Sequence, residues 1–186
     1  TDRNLHILHI VSSLECGGIE RQLQYLVNNL PERFRCTIAY LKEPQTGDVN
    51  ITPEFRRGTQ LIKISRHSKW DIFGATRSIA AIIREYEPDL IHLWFPPIVT
   101  VPAAFLAFTR RIPTVSAQRR SLRYRGQLSG WFTDRLCYLQ HLLSTRIAAN
   151  YPDIAEPLLY RWLFSRKAGI VIPNGIGVAA SAVPKN

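Results

Sequence analysis

Near-continuous apolar runs alternate with amphipathic ones along the chain. Residues 5–11, LHILHIV, are apolar at most positions, the pattern of a strand buried on both faces of a parallel sheet. Two glycines follow. Ile19, Leu23, Leu26, Val27 and Leu30 then fall at helical spacing until Pro31 stops the pattern. Residues 35–41 and 60–65 read as second and third strands, separated by a polar stretch that carries proline and glycine. Between Asp71 and Pro88, Ile72, Ala75, Ile79, Ile82, Ile83 and Tyr86 share one helical face.

The alternation continues to the end of the chain. Residues 89–94 predict a fourth strand, 99–111 a helix with Pro102 in its first turn, and 113–117 a fifth strand. An arginine-bearing loop leads to a helix over 130–143, a sixth strand over 145–150 and a helix over 152–164. Residues 169–176 predict a seventh strand running into a turn, and 177–186 a linker or frayed tail. Strands alternating with helices over the whole length predict one α/β domain, Rossmann-like and doubly wound on a mostly parallel sheet. The uncharged run over 90–109 is long enough to span a membrane, but Pro96, Pro97 and Pro102 divide it and His92 interrupts it. Strand, loop and core helix is the reading adopted.

Composition narrows the class. At 186 residues, 46% hydrophobic and 20% charged, the chain has enough apolar material for one substantial core and is tight for two. Its three cysteines are scattered and odd in number, so neither a disulfide framework nor a zinc site is indicated and a reducing compartment fits. The five histidines show no metal-ligand spacing. No methionine is present, so Thr1 is expected to follow processing or trimming, and no secretory signal is recognised.

The net charge of +10 implies an anionic partner or surface. No Asp or Glu occurs from 90 to 133, a span that holds Arg110, Arg111, Arg119, Arg120, Arg123 and Arg125.

In open α/β sheets, ligands bind beyond the carboxyl ends of the strands. The turns that matter are therefore 12–18, 92–97, 117–126, 150–153 and 173–175. Gly17 and Gly18 would let a ligand approach the main chain and would aim the first amides of the following helix outward; a turn needing glycine for its own conformation is the other reading. A P-loop is excluded because no Lys-Ser/Thr follows. A dinucleotide fingerprint lacks its third glycine and its acidic residue.

ILHIVSSLECGGIERQLQYLVNNL, PDLIHLWFP, RIPTVSAQRRSL, IAAN and IVIPNGI occur in an order and spacing that resembles one family. Residues 5–176 look like the N-terminal half of a family-four glycosyltransferase with the GT-B fold. The resemblance implies a retaining transferase that moves a sugar from a nucleotide-sugar to a glycan or lipid-linked acceptor, often in cell-envelope polysaccharide synthesis. It implies that residues 1–176 bind acceptor. The donor and the catalytic glutamate belong to a C-terminal domain outside this sequence, without which the chain is expected to be inactive. No cofactor and no metal are expected.

By the same resemblance, Gly17 and Gly18 match the turn that approaches donor phosphate or acceptor, and Glu20 and Arg21 the acid and base after it. Glu20 equally suits the positive end of a helix. His92 matches the first histidine of a frequent H-x-H whose second position is Trp94 here; a structural histidine at a strand end is the alternative. Gln118, Arg119 and Arg120 stand where many members carry a histidine, which moves the expectation to arginine holding phosphate. Asn150 matches a frequent asparagine, and Asn174-Gly175 is expected to be a structural turn or hinge.

The arginine loop precedes Leu128, Trp131, Phe132, Leu136 and Leu139, which suit either a core helix or an interfacial one. The expectation is a cytoplasmic chain with peripheral contact to the inner face of an anionic membrane. The competing readings are a GT-B sugar-nucleotide epimerase or phosphorylase half, which for the epimerase predicts carboxylates in the cleft, and a basic nucleic-acid-binding module. Tyr124 is the only aromatic residue within the 119–125 cluster, which makes nucleic acid an unlikely partner.

Overall fold

The computed structural model describes residues 3–15, 17–42, 54–68, 71–95, 97–118, 128–150, 158–167 and 169–175. Among them the chain runs β1 Leu5–Ser13, α1 Gly18–Asn29, β2 Phe34–Lys42, β3 Gln60–Lys63, α2 Ile72–Tyr86 and β4 Leu90–Phe95. It continues through α3 Pro97–Thr109, β5 Thr114–Gln118, α4 Leu128–Leu143, β6 Arg146–Ala149, α5 Leu158–Arg166 and β7 Ile170–Val171. The strands form one sheet in the order β3-β2-β1-β4-β5-β6-β7, and every pairing is parallel. The chain winds outward from β1 to β3, then returns to lay β4 beside β1. That reversal makes the topological switch point at which open sheets bind ligands.

Strand alternation divides the core into two layers. Leu8, Ile10, Ile91 and Leu93 face α2 and α3, where Ile79, Ile83, Ala103 and Ala107 cover them. Val11, Ile38 and Trp94 face α1, against Leu23 and Val27. Fully burying each such aliphatic side chain contributes about 1.5–3 kcal/mol, which identifies these two layers as the main source of stability. The register between β1 and β4 shifts after Ile10, where Leu93 is its partner and Phe95 is the partner of Val11, so the extra residue is Trp94.

Several element ends differ from the sequence pattern. α3 starts at Pro97, so Pro102 lies within the helix and not in its first turn. Its ring removes the hydrogen bond to the carbonyl of residue 98. That helix also stops at Thr109, two residues before the predicted end, because Arg111 turns left-handed at φ 58°. β3 ends at Lys63 and β7 holds only Ile170 and Val171, each short of the predicted strand because its one neighbouring strand pairs it over only four and two residues. α4 begins at Leu128. The predicted tail over 177–186 and the start of the predicted 152–164 helix lie outside the described residues.

Candidate functional site

At the carboxyl end of β1, Gly17 is the N-cap of α1 in an extended conformation, φ −133° and ψ 176°, which any residue adopts. A Cβ there would meet Oε2 of Glu20, the far end of a flexible side chain that folds back beneath the turn. Glu20 is buried, and Ser13 Oγ donates to its Oε1 at 3.3 Å. Burial raises its pKa above the ordinary carboxylate value, with the Ser13 hydrogen bond opposing the shift. The glycine-glycine-x-glutamate spacing therefore builds a reach-back of the third helical side chain toward the cap. Gly18 differs: nothing within 4 Å would meet a Cβ, so it leaves the start of α1 open.

β1 and β4 set His9 beside His92, since the two are register partners on the α1 face. Their ring centroids are 5.4 Å apart, and the His92 and Trp94 rings are 4.5 Å apart. Trp94 Nε1 donates to His9 Nδ1 at 3.4 Å, which leaves the proton of neutral His9 on Nε2. That nitrogen is buried and has no hydrogen-bond partner among the described residues. Burial, reinforced by His6, lowers the His9 pKa to about 3.

Beside this cluster a groove of about 330 Å³ opens between α1 and the carboxyl ends of β4, β6 and β7. Tyr25 and Leu26 form one wall, His92 and Trp94 the floor, and Ile172 and Pro173 the opposite wall. Gln22 joins the two sides: its Nε2 donates to the Gly175 carbonyl at 2.6 Å, and the Gly175 N–H donates to its Oε1 at 2.9 Å. Gln22, Tyr25 and Leu26 share a face because they fall at helical spacing.

Of the residues the sequence singled out, His92 and Gly175 border the groove, whereas Gly17, Gly18, Arg21, Gln118 and Asn150 do not. Arg21 is exposed on α1. Gln118 is separated from His92 by strand alternation. Ile91 pairs with Thr114 and Leu93 with Ser116, which puts Ser116 and Gln118 on the face opposite His92.

There Gln118 enters a directed chain of hydrogen bonds. His141 Nε2 donates to Gln118 Oε1 at 2.6 Å, Ser116 Oγ donates to His141 Nδ1 at 2.7 Å, and Gln140 Nε2 donates to Ser116 Oγ at 2.5 Å. Thr100 Oγ1 donates to Gln140 Oε1. Burial holds the His141 pKa at about 4, so the ring is neutral and its tautomer is set by these partners. Asn150 Oδ1 is buried without a hydrogen-bond partner among the described residues. Arg119 and Arg120 lie outside the described residues. Asn174-Gly175 forms no left-handed turn, and Gly175 is held by Gln22. Among the described residues no three His, Cys, Asp or Glu side chains are grouped to hold a metal ion.

Sequence reasoning missed His9, Gln22, Tyr25 and His141. Tyr25 sits beside Leu26 in the helical apolar pattern and carries no local mark of a site, while Gln22 finds its partner 153 residues away.

The parallel sheet, its reversal between β1 and β4, and the glycine turn at that reversal define a Rossmann-like α/β domain. The chain belongs to Glycosyltransferase Family 4, whose profile matches residues 16–179. No curated protein matches the sequence.

Among solved structures, it is similar to the apo form of the lipopolysaccharide outer core galactosyltransferase WaaB at 12% identity and a TM-score of 0.69, covering 95% of this chain and 47% of that one. It is similar to a UDP-glucosyltransferase from Polygonum tinctorium capable of glucosylating indoxyl, at 10% identity and a TM-score of 0.68, covering 98% and 54%. It is also similar to UDP-GlcNAc 2-epimerase from Neisseria meningitidis bound to UDP-GlcNAc, at 17% identity and a TM-score of 0.61, covering 90% and 45%. At these identities the likeness is one of fold, and the chain spans about half the length of each.

Proposed function

We propose that residues 1–176 form the acceptor-side domain of a retaining glycosyltransferase that moves a sugar from a nucleotide-sugar to a glycan or lipid-linked acceptor in cell-envelope polysaccharide synthesis. The observation that carries this reading is the groove itself. Its Tyr25 ring suits the apolar face of a sugar or the first isoprene units of a lipid carrier, Trp94 backs the floor from within the core, and the His92 imidazole is the polar group there. The donor and a glutamate-bearing motif then come from a second domain facing the turn at Gly18. Gln22 holds the segment leading toward that domain, which gives Asn174 and Gly175 the role of a hinge. No cofactor or metal is assigned to this half, and a cytoplasmic location accords with a nucleotide-sugar donor.

An epimerase half predicts carboxylates at the groove. Among the described residues none borders it, and Glu20 is turned to Ser13 beneath Gly17. Chemical-shift perturbation of the purified chain, titrated with glycan and polyprenyl-phosphate-sugar acceptors and separately with UDP-sugars, tests the assignment. Acceptor-dependent shifts at Tyr25, His92 and Trp94 that vanish in Tyr25→Ala are expected. Tight UDP-sugar binding to this domain alone, with no acceptor binding, overturns it.

A further inference from the structure

At the amino end of the sheet, opposite the groove, β2 outruns its neighbour. β3 first pairs at Gln60, with Thr37, so Phe34, Arg35 and Cys36 have no strand beside them on that edge. Arg56 takes the strand's place. Its Nη1 donates to the Leu30 and Pro31 carbonyls and its Nη2 to the Phe34 carbonyl. Carbonyls are neutral acceptors, so the guanidinium keeps its full charge. The segment that carries it is fastened to α1. Gln24 Nε2 and Asn28 Nδ2 donate to the Glu54 carbonyl at 3.1 and 2.8 Å, and the Arg56 N–H donates to Asn28 Oδ1 at 2.8 Å.

Between this segment and the start of β2 lies a pocket of about 620 Å³, within the ~300–1,000 Å³ of small-molecule sites. Arg35, Arg56 and Arg57 border it, with Glu32 as the acidic residue of its lining. Among the described residues none of the three arginines forms an ion pair with a carboxylate, so three cations against one glutamate leave an excess of two positive charges. Thr59 borders the pocket too, and its Oγ1 is buried without a hydrogen-bond partner among the described residues. A hydroxyl in that state calls for an acceptor or donor from outside the chain. Gly58 turns left-handed at φ 86°, and the space its side chain would occupy is open.

We propose that this pocket binds a phosphate monoester that also carries hydroxyl groups, of which a sugar phosphate is the simplest kind. Arg35 and Arg57, both exposed, close on the phosphate in the field of the fixed Arg56. Guanidinium groups suit phosphate because they donate in pairs and stay charged. Glu32 would repel a bare polyanion but accepts hydrogen bonds from the hydroxyls of such a ligand. A single concavity bordered by three arginines suits one phosphate group, whereas a nucleic acid backbone calls for a basic stripe. The pocket shares no lining residue with the groove and lies at the other end of the strands, so it stands whether or not the acceptor reading holds.

Calorimetric titration of the purified protein with glucose 1-phosphate at fixed ionic strength tests the assignment, with glucose and a short single-stranded RNA as comparison probes. One saturable site for glucose 1-phosphate is expected, with amide shifts at Gly58 and Thr59 and none at Tyr25 or His92. Arg35→Ser combined with Arg57→Ser should lower the affinity by roughly tenfold or more, the loss expected for charge-assisted hydrogen bonds. Arg77→Ser combined with Arg84→Ser, an equal change of charge on α2, should leave it unchanged. All four side chains are exposed, and an unchanged thermal midpoint certifies the fold of each variant. Absence of saturable binding overturns the proposal, as does an equal loss in the α2 pair, which would show nonspecific charge only. Equal binding of glucose without its phosphate also overturns it, and so do shifts at Gly58 and Thr59 with RNA but not with glucose 1-phosphate.

Discussion

Gln22 and Gly175 hydrogen-bond to each other in both directions, so a side-chain amide on α1 takes the place of a neighbouring strand for the segment leaving β7. The pair spans 153 residues and closes the groove across which it lies. Replacing Gln22 with Ala removes both bonds. Because they are exposed, the expected loss is about 1 kcal/mol in chemical denaturation. Hydrogen exchange at the Gly175 amide should accelerate at the same time. An unchanged exchange rate there would show that the exit segment is held by something other than this pair.

The turn at Gly17 makes a non-additive prediction. Gly17→Ala forces its Cβ against the Glu20 carboxylate, which is buried and engaged with Ser13, and overpacking of this kind costs about 1–3 kcal/mol. In a Glu20→Ala background the same substitution should be nearly neutral, since the extended backbone at Gly17 suits alanine. A double-mutant cycle on denaturation midpoints measures the difference. Additive costs would mean that the backbone, not Glu20, demands the glycine.

Acid should destabilise the domain well before its carboxylates titrate. His9 and His141 have folded pKa values lowered from 6.5 to about 3 and about 4, so the folded state favours their neutral forms. Their contribution is complete above about 6.5 and falls as the pH drops toward the folded values, by at most about 1.4 kcal/mol per pH unit for each. Glu20 acts in the opposite sense. Its raised pKa favours the protonated form, so its contribution is greatest in acid and is lost as the pH rises through the folded value. Burial lowers the His6 pKa as well, so with three histidines against one carboxylate urea midpoints should fall between pH 6.5 and 4. His141→Gln should flatten that slope.

Arg111 closes α3 in a backbone conformation that favours glycine. Its φ of 58° is a conformation that glycine adopts without steric cost, so Arg111→Gly should raise stability by about 0.5–1 kcal/mol. Urea midpoints measure the gain, and an unchanged midpoint would mean that the hydrogen bonds from Arg111 to Phe108 and from Ile112 to Ala107 already offset the cost.

Much of the fold is legible in local sequence pattern, because strand and helix periodicities are set by neighbours a few positions apart. The apolar run at 5–11, the helical spacing from Ile19 to Leu30 and the prolines that punctuate the chain specify alternating elements before any contact is known. Glycine-glycine-x-glutamate likewise marked the strand-to-helix turn after β1, although the carboxylate folded under Gly17 appears only in three dimensions.

The site divides along the same line. His92 was visible as a polar residue at a strand end, and Trp94 shares its face by the two-residue alternation of a strand, but His9 was set beside it only by the pairing of β4 with β1. Gln118 looked like its companion in the sequence, yet strand alternation sent it to the other face, into the grip of His141. The inward polar face of α4 reads from the sequence as an outward one until Ser116 and Thr100 arrive to satisfy it. By itself the sequence determined which elements form, through short-range periodicity and steric punctuation. Only the tertiary structure decided which side chains meet, because strand order and register act across distances that no local pattern records.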